Sequence, residues 1–192
     1  ILHRATHRSR IDSTRHGTSW DYLRMVDEQT ADHSPPAEIT AKELKWLKSC
    51  IANAEIFRVC GKKSFFSYII DSQGRVAGSG YNGTKPGALN CIDGGCPRFQ
   101  NNVPSGTSYD YGDGLCLSSH AETNALIFGD STRYPSSTLF VNGMPCIACA
   151  RNIAGAGIAR IVCLTEPDRL GSDVVRDFLV ASGVTLVEVE DA

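Results

Sequence analysis

His120-Ala121-Glu122-Thr123-Asn124-Ala125-Leu126, then Thr138-Leu139-Phe140-Val141, then Pro145-Cys146-Ile147-Ala148-Cys149 form the stretch on which the fold turns. It reads as a helix from His120 to about Phe128, a strand over Thr138–Val141, and a helix from Cys146 to about Ala154. Gly155 and Gly157 end that last helix. The same stretch carries chemistry, in the form H-x-E, 22 residues, P-C-x-x-C. One imidazole and two thiolates hold a zinc ion in three corners of a tetrahedron and leave the fourth for water. The metal brings the pKa of that water close to neutral. A carboxylate beside the metal, not bound to it, carries the proton. His120, Cys146 and Cys149 are thus candidate ligands and Glu122 the candidate proton shuttle. A closed structural zinc site is the competing reading. Glu122, two residues from His120, has no evident role in such a site. Both motifs also open helices, where backbone N–H groups favour thiolates.

Working outward, Thr40-Ala41-Lys42-Glu43 is a capping box that opens a helix to about Phe57. Leu44, Leu47, Ile51 and Ala54 lie on one face of it. Phe65–Ile70 and Val76–Tyr81 flank a Ser72-Gln73-Gly74 turn and read as a hairpin. Residues 82–118 are rich in Gly and Cys with little periodicity, and a loop that long is usually functional or pinned. Strands at Ile161–Thr165 and Val184–Val189 enclose a helix at Asp173–Ala181. Helices alternating with the last three strands imply parallel, right-handed crossovers. The predicted fold is three-layer α/β/α: a five-stranded mixed sheet, its last strands parallel, with helices on both faces. The two metal-bearing helices are expected side by side on one face. Residues 1–36, with five arginines and a short helix expected over Ser19–Gln29, read as a basic leader ahead of a domain at 37–192.

The bulk numbers exclude more than they assign. A chain of 192 residues suffices for one well-cored domain. Its net charge of −2 gives no general signal for nucleic acid. No apolar run approaches a membrane span. Eight cysteines in a chain of this length without a secretion signal point to metal binding and buried thiols, and to a reducing, cytoplasmic setting. Cys50 and Cys163 read as buried core thiols.

H-x-E followed by P-C-x-x-C is the zinc deaminase signature. The chain further resembles the deoxycytidylate (dCMP) deaminase family of the cytidine deaminase-like fold. Gly80-Tyr81-Asn82-Gly83 and His120-Ala121-Glu122-Thr123-Asn124-Ala125 match its motifs, and Asn90-Cys91-Ile92-Asp93-Gly94-Gly95-Cys96 resembles a cysteine-containing loop of bacterial and phage members. The likeness covers about residues 40–190. It implies hydrolysis of dCMP to dUMP and ammonia, with Glu122 protonating the base at N3 and passing a proton to the leaving group. It implies substrate contacts from the Asn82 side chain and the Ala121 backbone, and a loop-orienting role for Asn124, which could equally pack on Tyr81. The competing reading of Asn82 is a turn residue at positive φ.

The resemblance implies further features. Some members carry a second, structural zinc, here placed on Cys60, Cys91, Cys96 and Cys116. Members form closed oligomers, often hexamers. They answer to dCTP and dTTP, with Mg2+ accompanying a nucleotide effector, near a glycine-rich segment that corresponds to Gly80, Gly83, Lys85 and Gly87. The chain departs from the family where phosphate would be held: Ser118-Ser119 replaces an Arg-Thr pair, and Phe65-Phe66-Ser67-Tyr68 replaces a small segment. Lys62, Lys63, Lys85, Arg98, Ser105, Ser118 and Ser119 are the candidate phosphate groups. Alternatives are therefore dCTP, deoxycytidine, a modified cytosine, a base within a polynucleotide, or a non-catalytic nucleotide-binding module.

Overall fold

The computed structural model describes residues 38–104, 107, 109–166 and 171–192. The leader with its expected helix, and Ser105, lie outside the described residues. Helix α1 (Ala41–Ile56) starts as its capping box requires. Thr40 Oγ accepts from the Glu43 N–H at 3.2 Å, and Glu43 reaches back to the Thr40 N–H at 2.8 Å. Such a cap is worth about 1 kcal/mol. Glu43 also accepts from Arg160 Nε at 2.7 Å, fastening the start of α1 to the sheet.

Strands β1 (Phe66–Ile70) and β2 (Val76–Tyr81) form the expected antiparallel hairpin. They are followed by β3 (Thr138–Val141), β4 (Arg160–Leu164) and β5 (Thr185–Val189). The sheet order is β2-β1-β3-β4-β5, with β3, β4 and β5 parallel and β1 antiparallel to both neighbours. The mixed sheet with a parallel end is thus present as read.

Two cores follow from strand alternation. Leu139 and Val141 of β3, and Ile161 and Cys163 of β4, point to one face, where α3 (Ala121–Ile127), α4 (Ile147–Gly155) and α5 (Ser172–Ala181) supply Ala125, Ile153 and Leu179. Phe140 and Val162 point the other way, onto Leu47 and Cys50 of α1. The second helix of the series, α2 (Pro97–Gln100), is a single turn inside the long loop. Cys50 and Cys163 are both fully buried, as the sequence suggested. No helix among the described residues is long and apolar enough to cross a membrane.

The hairpin turn is locked by Asp71. Its Oδ1 accepts from the N–H groups of Gln73 (3.0 Å) and Arg75 (2.8 Å), and its Oδ2 from the Arg133 guanidinium (2.6 Å). The Arg75 N–H, then Arg133, hold its carboxyl down at about 2. The unfolded value is about 3.9. Stability from this group is therefore complete above about pH 4 and lost as pH falls through about 2. Asp71→Asn is expected to lower stability at neutral pH and flatten its loss in that acid window, measured as urea midpoints from pH 2 to 7.

Candidate active site

His120 and Cys146 are the residues just before α3 and α4, in extended conformation. The parallel connection lays the two helices side by side, so both starts open at the same end of the sheet. There the His120 Nδ1 lies 3.4 Å from the Sγ of Cys146 and 3.4 Å from that of Cys149. All three donor atoms fall within 4.8 Å of one another, the one such group of three or more among the described residues. Three donors of types N, S and S, converging from two helix starts, fit a tetrahedral zinc with one open position.

The electrostatics suit thiolate ligands. The hydrogen bond from Cys149, with His120 adding to it, holds the Cys146 thiol at about 3 against the opposing effect of burial. Cys149 is pushed up by that same hydrogen bond, by burial and by the negative charge of Glu122. Without metal, one proton is thus shared between two sulfurs, and a divalent cation displaces it. The Cys149 N–H points at Cys146 Sγ (3.5 Å), and Thr123 Oγ lies 3.6 Å from Cys149 Sγ. Glu122 is 5% exposed in the first turn of α3, beside the donors.

The hairpin closes the site. Gly83 and Ser119 exchange two backbone hydrogen bonds, 3.1 and 2.9 Å, which seats the Gly80–Gly83 motif next to His120. Asn82 does not have positive φ, so the turn reading fails. Its side chain instead clamps the start of β1: Oδ1 accepts from the Phe65 N–H (2.8 Å) and Nδ2 donates to the Lys63 carbonyl (2.9 Å). One amide hydrogen and one lone pair remain for a ligand. Asn124 Nδ2 donates to the Tyr81 carbonyl at 2.7 Å, which ties α3 to the end of β2. Ala121 is fully buried at the first position of α3. Gly80 is needed for close approach rather than for a turn. A Cβ there would lie 2.5 Å from Ala125 N and 2.7 Å from Ala121 O.

Sequence reasoning missed Asn142, whose side chain mirrors Asn82 from the other flank of β1. It accepts from the Phe66 N–H (2.8 Å) and donates to the Ser64 carbonyl (3.0 Å). It also missed Glu166, which accepts from the Met144 N–H (3.1 Å) and pairs with Lys63, fixing the turn before Pro145. Asn142 lies at the end of a strand that was read, where such clamps occur. Glu166 had no local signal.

The phosphate candidates separate. Arg98 is 3% exposed and turned into its own loop. Lys62 donates to the Val103 carbonyl and Lys63 to Glu166. Ser119 is exposed beside His120, with Ser118 half-buried before it. Lys85 lines a cavity of about 700 Å3 with Phe57, Tyr81, Asn90, Asn124 and Phe128, and none of the three donors reaches that cavity.

The four loop cysteines are neighbours, but no three of their sulfurs approach one another as closely as the His120, Cys146 and Cys149 donors do. Interaction with Cys91 and Cys116 lowers the Cys96 thiol against burial, and burial, with Cys96 and Cys60 adding to it, raises that of Cys91. The backbone at Gly61 lowers Cys91, that at Phe99 and Leu117 lowers Cys96, and that at Ser118 lowers Cys116, each against the rise from burial. Such interactions stabilise thiolate.

Residues 40–165 match the profile of the family described as the cytidine and deoxycytidylate deaminase zinc-binding region. The chain belongs to this family. With membership comes the enzyme class, a hydrolase that deaminates cytosine nucleotides. Among similar proteins, the deoxycytidylate deaminase of Mycobacterium phage D29 is 38% identical over 113 residues, 58% of this chain and 87% of that protein. The deoxycytidylate deaminase of Schizosaccharomyces pombe is 39% identical over 93 residues, 48% of this chain but only 28% of that protein. In fold, the chain resembles the dCMP deaminase of cyanophage S-TIM5, a crystal structure in complex with dCMP and dUMP. The TM-score is 0.55 at 20% identity, covering 79% of this chain and 100% of that one.

Proposed function

We propose that this deaminase binds zinc at His120, Cys146 and Cys149 and hydrolyses dCMP to dUMP and ammonia. The observation that carries it is the convergence of those three donors beside a buried carboxylate, Glu122. Zinc, when bound, supplies a water acidic enough to act near neutral pH. Glu122 would take the proton of the attacking water and deliver it to the base at N3, then take the proton of the hydroxyl added to the ring and pass it to the departing ammonia as the carbonyl forms. The Ala121 backbone meets the pyrimidine edge. The spare hydrogen-bonding capacity of Asn82 serves the sugar or base. The D29 and yeast relatives, both deoxycytidylate deaminases, favour the monophosphate.

Three accompanying readings belong to the same proposal. Cys60, Cys91, Cys96 and Cys116 hold a second, structural zinc, supported by their mutual electrostatic interaction and by backbone groups that favour their thiolates. The cavity beside β2, lined by Gly80, Gly83, Lys85 and Gly87, takes a dCTP or dTTP effector with Mg2+. The exposed Ile127 and Phe128 of the α3 end, beside Phe57, belong to a closed oligomer's contact surface.

The test is ammonia release from dCMP, dCTP, deoxycytidine and a cytosine-containing oligonucleotide, with zinc-loaded protein. Preference for dCMP is expected. Preference for another member overturns the phosphate assignment and keeps the site. Silence on all four, with dCTP also tried as activator, overturns the catalytic reading. Two zinc ions per chain are expected by metal analysis, falling to one in Cys96→Ser.

A further inference from the structure

The long loop between β2 and α3 ends on the donor cluster, and one aromatic ring joins the two. Arg98 is a cation at 3% exposure. Burying a guanidinium is costly unless its donors are used. Here it donates to the Gly114 carbonyl at 3.0 Å and the Pro104 carbonyl at 2.7 Å, while its own backbone N–H donates to the Leu115 carbonyl at 3.2 Å. The loop is therefore wrapped around this side chain. The guanidinium carbon sits 4.0 Å from the centroid of the Tyr109 ring, on its face. The Tyr109 carbonyl accepts from the Cys116 N–H at 2.9 Å. Tyr109 is thus held by its ring and by its backbone, though 48% of it is exposed. Its ring meets the His120 imidazole edge-to-face, with centroids 6.5 Å apart and planes at 87°. That geometry is favourable for aromatic pairs.

His120 precedes α3, so no preceding helical turn restricts its side-chain torsions. What packs against the ring therefore helps to set both torsions, and with them the direction of Nδ1. We propose that Tyr109, clamped by Arg98, is a positioning residue that sets the plane of the His120 imidazole and keeps Nδ1 aimed at the Cys146 and Cys149 sulfurs. Groups that orient a ligand in this way typically change metal affinity by about 10- to 100-fold when removed. The loop then has a task beyond covering the domain, because its internal fastening is passed to a metal donor through one ring. The inference rests on His120 being a zinc ligand.

The experiment compares wild type with Tyr109→Phe, Tyr109→Leu and Arg98→Lys, each checked for an unchanged far-UV spectrum and melting temperature. Zinc release to a chelator and the absorption spectrum of the cobalt-substituted protein are measured. His120→Ala shows which release phase and which bands belong to this site, so a contribution from the four-cysteine cluster is subtracted. Tyr109→Leu is expected to release zinc about tenfold faster and to shift the cobalt ligand-field bands, with the thiolate charge-transfer bands retained. Tyr109→Phe, which keeps the ring, should behave as wild type, and Arg98→Lys should fall between. Wild-type release and spectra in Tyr109→Leu, or a Tyr109→Phe variant as impaired as Tyr109→Leu, would overturn the positioning role. Metal binding unchanged in His120→Ala would overturn the donor assignment and the positioning role with it. None of these readouts needs turnover, so an inactive wild type would count against the proposed reaction alone.

Discussion

Glu122→Gln is expected to remove deamination while leaving the fold and the zinc content of the protein unchanged. Glutamine has the same size and can still accept and donate hydrogen bonds, but it cannot take up a proton near neutral pH. Positioned acid–base groups contribute about 10²- to 10⁴-fold. A single group serving both the water and the leaving amine stands at the upper end, so a fall in kcat of about 10³-fold or more is expected. The site tolerates the change sterically, because Glu122 is 5% exposed in the first turn of α3 and Gln fills the same space. It also removes a negative charge that raises the Cys149 thiol, so thiolate formation is eased rather than hindered. His120, Cys146 and Cys149 are untouched, and zinc per chain should match the wild type. Steady-state rates and metal analysis on one preparation decide it. Activity within tenfold of wild type would show that another group carries the proton.

The elements with a strong period were legible because their burial is decided locally. Leu139, Phe140 and Val141 alternate between two cores, and Ile161, Val162 and Cys163 repeat the pattern. The donors were legible because zinc constrains residue type and spacing together. Residues 82–118 were not legible as structure. Their order comes from partners far apart in sequence: Gly83 with Ser119, Ile92 with Val59, Arg98 with Gly114, and Cys96 with Cys116. A window of sequence holds only one member of each pair. Within that stretch the turn α2 carries one local sign, Pro97 at its first position. Asn82 shows the same limit from the other side. It stood out as a residue type in a motif, yet its clamp on Lys63 and Phe65 depends on how β1 and β2 pair. Arg98 is the sharpest case, since nothing in its neighbours in sequence distinguishes a buried post from a solvated side chain.

Gly80→Val should be strongly disruptive although Gly80 lies outside the donor set, and the reason joins the strand to the metal. The atoms a Cβ would meet at Gly80 are the Ala125 nitrogen at 2.5 Å, the Ala121 oxygen at 2.7 Å and the Asn124 Cβ at 2.8 Å. Two of these are backbone, so no rotamer change relieves the contact. Helix α3 must move off the sheet, breaking the Asn124–Tyr81 hydrogen bond and carrying His120, the residue that caps it, away from Cys146 and Cys149. Overpacking of this kind costs about 1–3 kcal/mol, and valine belongs at the upper end. Gly87 is the control. Its φ is +82° and nothing lies within 4 Å of a Cβ placed there. Gly87→Ala therefore meets only the backbone preference for glycine, about 1 kcal/mol, with zinc affinity unchanged. Denaturant midpoints and zinc competition on the two variants separate the cases. A Gly80→Val protein with wild-type stability and zinc affinity would mean that the seat of α3 on β2 does not set the donor geometry. Loss of both, with Gly87→Ala retaining zinc, would show that a strand glycine with no chemistry of its own aligns the metal site.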